Sequence, residues 1–63
     1  MTSLIMYPKN CRKNISRITN ATGASVETAY AMMLLTATLY DLDPSDPMVM
    51  KMILDDCGVE VSA

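Results

Sequence analysis

Sixty-three residues with seven acids, five bases and no histidine carry a formal net charge of −2, and 51% of the side chains are hydrophobic. A chain of this length builds one small core, whose independent folding is marginal without a disulfide, a metal or association. The negative balance argues against strong non-specific binding to nucleic acid, which depends on Lys and Arg neutralising phosphates. The lack of histidine removes the usual general base and a common zinc ligand.

Two cysteines, Cys11 and Cys57, cannot complete a four-ligand zinc site without unusual carboxylate help. One disulfide can be drawn between them, but the simpler expectation is two free thiols packed as small hydrophobes. No charged-then-apolar leader ending in a small-residue cleavage site is visible, so a reducing cytoplasm is expected.

Residues 1–7 are apolar without a clear period and suit a frayed N-terminal arm, a short strand or a flap over the core. Pro8 lacks an amide proton and suits a first helical turn, which places helix 1 at about 9–22. Cys11, Ile15, Ile18 and Thr22 form its narrow apolar stripe, while Arg12, Lys13, Asn14, Ser16, Arg17 and Asn20 form the wet face. Gly23 supplies a left-handed helix ending, and Ser25 caps the next helix, with Glu27 in its first turn.

Helix 2, at about 26–42, has almost no polar side. At about 100° per residue, Val26, Ala29, Tyr30, Met33, Ala37 and Tyr40 gather on one arc, while Met32, Leu35 and Leu39 occupy another. One neighbouring element cannot cover both arcs, so Met32, Leu35 and Leu39 are expected to form the interface of a homodimer. The apolar run 29–40 falls short of the roughly 20 residues of a spanning helix, which excludes a membrane reading.

Pro44 stops helix 2 before Asp43. Ser45 or Asp46 can cap helix 3, with Pro47 at its first position, and that helix is expected at about 47–57. Val49, Met52, Ile53 and Cys57 share one side of it, flanked by Met48 and Met50, and Gly58 ends it. Residues 58–63 read as a second arm; a short pairing of this tail with residues 4–7 is the lesser alternative. The seven methionines suit either a flexibly filled core or a soft binding surface.

Charge divides along the chain. Lys9, Arg12, Lys13 and Arg17 precede every acid, whereas Lys51 is the only base after Glu27. The start of a helix disfavours positive charge, and an antiparallel hairpin would bring Asp41, Asp43 and Asp46 to that end. Arg12, Lys13 and Arg17 do not form one tight cluster on a helical wheel, and no aromatic residue is interleaved for base stacking. Lys9, Arg12, Lys13 and Arg17 are therefore expected to be a solvated face or a docking surface for an acidic protein.

Residues 18–33 (ITNATGASVETAYAMM) resemble the helix-turn-helix of bacterial repressors, with Gly23 in the turn and Ser25 as cap. Such a motif would present Ser25, Glu27, Thr28 and Ala31 to base edges. However, residues 24–50 contain no Lys or Arg to contact guanine or phosphate, and two helices joined by a glycine turn account for the same pattern. No catalytic constellation is present: there is no histidine, no Gly-rich phosphate loop, no nucleophile with a visible base, and Asp55 and Asp56 point about 100° apart on a helix. No cofactor is implied.

Residues 7–56, with YPKNCRKNISRITNATG followed by ASVETAYAMMLLTATLYDLDPSDP, also resemble a family of small early-region proteins of lambdoid phages and their prophages, encoded between the recombination exonuclease and excisionase genes. The resemblance implies a bacterial cytoplasm and a role in reprogramming the host or in the choice between lysis and lysogeny. It transfers no functional residue. The expectation is an all-α domain, an antiparallel helical hairpin plus a short third helix, associating as a homodimer. Its expected function is non-enzymatic regulation through contact with a host or phage protein; the rival reading is a dimeric helix-turn-helix DNA-binding regulator.

Overall fold

A computed structural model describes residues 6–58, and the suggested pairing of the tail with residues 4–7 lies outside them. A 3-10 turn at Lys9–Cys11 leads into α1 (Arg12–Thr22), followed by α2 (Val26–Tyr40) and α3 (Pro47–Asp56), with no strand among the described residues. The protein is all-α, and each helix packs against the other two.

Local chemistry sets most of the helix ends. Gly23 adopts φ 76° and donates its amide proton to the Thr19 carbonyl at 2.9 Å, closing α1 in the left-handed conformation that glycine enters without a Cβ penalty. The Ser25 hydroxyl oxygen accepts the Thr28 amide proton at 3.2 Å, and the Asp46 carboxylate accepts that of Met48 at 2.9 Å with Pro47 beginning α3. Each of these bonds satisfies a donor that the helix itself leaves orphaned.

Two ends differ from expectation. The α-helical part of helix 1 begins at Arg12, because residues 9–11 wind more tightly as a 3-10 turn and no side chain caps the start. Helix 2 stops at Tyr40 rather than 42. Asp41 takes φ 57°, and the Leu42 amide reaches back to the Ala37 carbonyl at 2.8 Å. Asp and Asn tolerate this left-handed conformation better than most side chains do, so an aspartate performs here the reversal usually assigned to glycine.

The core joins Cys11, Ile15 and Ile18 of the first segment to Ala29, Met33 and Ala37 of α2 and Val49, Ile53 and Leu54 of α3. The inward arc of helix 2 is thus Ala29, Met33 and Ala37, with Val26 and Tyr30 half-buried beside it; Tyr40 belongs to that arc by periodicity but sits at the helix end and is exposed. On α3 the buried set is Val49, Ile53 and Leu54. Cys57, expected on that side, is exposed because the helix has ended at Asp56. The N-terminal arm also contributes: Tyr7 packs edge-on to Tyr30, ring centroids 4.8 Å apart.

Asn14 departs furthest from the sequence pattern. Counted with the wet face of helix 1, it is buried at 4% exposure and donates its side-chain amide to the carbonyls of Pro44 at 3.2 Å and Asp46 at 3.1 Å. The turn after α2 is thereby pinned beside the start of α1, which is the antiparallel return of a helical hairpin. Within that turn, the Asp43 carboxylate accepts the Ser45 amide proton at 2.9 Å and the Ser45 hydroxyl at 2.6 Å. These bonds favour the ionised form and hold the Asp43 carboxyl below the ordinary carboxylate range.

Candidate interaction surface

The second arc of helix 2 stays outside the core. Leu35 is 64% exposed and Leu39 71% exposed, with Met32 half-buried between them and α3. The cause is geometric: α1 and α3 both pack on the arc carrying Ala29, Met33 and Ala37, which leaves the opposite side of the rod without a neighbour among the described residues. Leu34 on the flank is also exposed. Thr38 interrupts the apolar surface, but its hydroxyl is spent on the Leu34 carbonyl at 2.8 Å and offers little competing polarity.

Met32, Leu35 and Thr36 form one wall of an open groove of about 180 Å³, and Ile53, Asp56 and Cys57 of the α3 end form the other. The groove runs into the Leu35 and Leu39 stripe, so a side chain laid along α2 from outside would meet a nearly continuous oily strip. Asp56 is the charged group on its rim. Large exposed side chains arranged contiguously, as opposed to scattered singly, mark association surfaces.

The two thiols have separate environments and are both free. Burial pushes the Cys11 thiol above its ordinary range, and the neighbouring Asp43 carboxylate acts in the same direction because it disfavours a thiolate. Cys57 stands exposed at the groove. In a thiol titration of the native protein at low concentration, Cys57 is expected to react promptly and Cys11 only on unfolding; fast reaction of both would contradict the packing of Cys11.

The four basic residues expected to share a face do not behave alike. Lys9, Lys13 and Arg17 are exposed, whereas Arg12 is half-buried and donates its Nε proton to the Tyr7 carbonyl at 3.3 Å. The residues of the helix-turn-helix reading, Ser25, Glu27, Thr28 and Ala31, are exposed, but the Ser25 hydroxyl is bonded to that of Thr28 at 2.9 Å as part of the cap. Among the described residues no group of three His, Cys, Asp or Glu side chains could hold a metal ion, and no helix is long and apolar enough to cross a membrane. No family model, curated protein or solved structure matches the chain.

Asn14 is the contributor that sequence reasoning missed; Tyr7, packed against the core, fits the flap that is one of the expectations for residues 1–7. Asparagine is scored as polar by any periodicity count, and its two partners lie 30 and 32 residues away. The weak available signal for Asn14 was its place on the same side as Ile15 and Ile18, beside a stripe otherwise apolar.

Proposed function

We propose that this protein is a non-catalytic regulatory module that acts through protein–protein contact, as a homodimer joined by the outer arc of α2. The exposure of Leu35 and Leu39 carries this reading. An uncharged apolar strip is self-complementary: in a two-fold interface the same patch meets its own copy, and nothing on the strip sets a charge requirement for a different partner. Each leucine withdrawn from water contributes up to roughly 1.5–3 kcal/mol, a large increment for so small a domain. The resemblance of residues 7–56 to lambdoid-phage early-region proteins supports a setting in the bacterial cytoplasm during phage development, with a host or phage protein as the regulated partner.

Light scattering across a concentration series tests the dimer. The expected result is twice the chain mass at high concentration, and Leu35→Asp is expected to hold the protein at the single-chain mass at every concentration. The variant should keep its helical circular dichroism, because Leu35 is no part of the core. A wild-type protein that stays at the single-chain mass throughout would remove the proposal. A gel shift on duplex DNA tests the rival class, whose phosphate contacts would give an affinity falling steeply with salt.

A further inference from the structure

Lys9, Lys13 and Arg17 recur every fourth residue along the 3-10 turn and α1, and all three are exposed. At a rise of about 1.5 Å per residue the row is about 12 Å long. Neither α1 nor the turn before it contains an acid, and these three side chains make no hydrogen bond or ion pair among the described residues. Lys9 and Lys13 lie at the start of the helix, where its dipole opposes positive charge, so folding stability alone does not favour them there. The protein as a whole is nevertheless acidic, with a formal charge of −2.

We infer that the outer side of α1 docks an acidic protein segment through Lys9, Lys13 and Arg17. Charge complementarity names the occupant: carboxylates spaced one helical turn apart would match the row residue for residue. A nucleic-acid backbone suits the surface less well. The start of the row lies beside the turn that carries exposed Asp43, which a continuous line of phosphates would have to pass, and the Tyr7 and Tyr30 rings pack against each other. This inference rests on the reading of the protein as a partner-binding module, but uses a surface separate from the α2 strip.

The test is an NMR titration of the full chain at low salt with a peptide of repeated Glu-Ala-Ala-Ala units, which places a carboxylate every fourth residue. Amide shifts are expected at Lys9, Lys13 and Arg17. The triple variant Lys9→Gln, Lys13→Gln, Arg17→Gln is expected to bind about tenfold more weakly, in line with the loss of three exposed pairs. Lys51→Gln, which removes an exposed base outside this row, should change the affinity less than about twofold. Absence of binding, equal binding by the triple variant, or tighter binding to a DNA duplex of equal charge would each overturn the assignment. Light scattering on the triple variant should give the wild-type mass, which separates failure of the row from failure of the dimer.

Discussion

Met33→Ala is expected to lower folding stability by about 2–5 kcal/mol, the usual cost of truncating a fully buried Met to Ala. Met33 has no solvent exposure and lies within the cluster that joins all three helices. At about 0.05–0.15 kcal/mol per residue, a domain of this size holds only roughly 3–9 kcal/mol in total, so the variant should be largely unfolded at elevated temperature. Leu35→Ala, two positions along the same helix, provides the contrast. Leu35 is 64% exposed, so the single folded chain should lose no more than about 0.5 kcal/mol. Chemical denaturation at several protein concentrations distinguishes the two effects. The Met33 loss should be independent of concentration, and the Leu35 loss should appear only where wild type is dimeric. Equal, concentration-independent losses would mean that the inward side of α2 has been misassigned.

Asn14→Ala is the second large effect, expected at about 1–3 kcal/mol, because in a partly buried site it removes the donor of the Pro44 carbonyl and leaves the Asp46 carbonyl with the Val49 amide alone. Asn14→Asp should cost more at neutral pH, since a carboxylate then faces two carbonyl oxygens with no proton to offer them. The sign of its pH dependence follows. Burial against carbonyls raises the folded-state pKa of the introduced acid, so the penalty is full above that pKa and declines as pH falls through it and the carboxyl regains a donor. Denaturation of the two variants over a pH series should therefore show their stabilities converging in acid. If the gap between Asn14→Asp and Asn14→Ala were constant with pH, the two hydrogen bonds could not be what fastens the turn to α1.

Helix positions were legible because their causes are local. Gly23, the Ser25 cap, the Asp46 cap with Pro47, and Gly58 at φ 77° each act within a few residues of themselves, and the structure uses each in the role its chemistry suggests. Asp41 was missed as the end of helix 2 because the left-handed reversal fell on a residue that tolerates it less readily than glycine. The basic residues were legible as a charged group, but which of them remain available was not: Arg12 turns to the Tyr7 carbonyl, a choice set by where Tyr7 lies.

By itself, the sequence determined an all-α chain, three helices with their caps, a division of charge between its two halves, and a second helix too apolar to show a single inner side. Only the tertiary structure decided that Met32 is half-buried against the core while Leu35 and Leu39 of the same arc stay exposed, and that Asn14 is a buried fastener instead of part of a wet face. The physical reason is the same in both cases. Caps and helical periods depend on neighbours within one or two turns, whereas burial of one apolar arc over another, or of an amide against carbonyls some thirty residues away, depends on where the other helices come to rest.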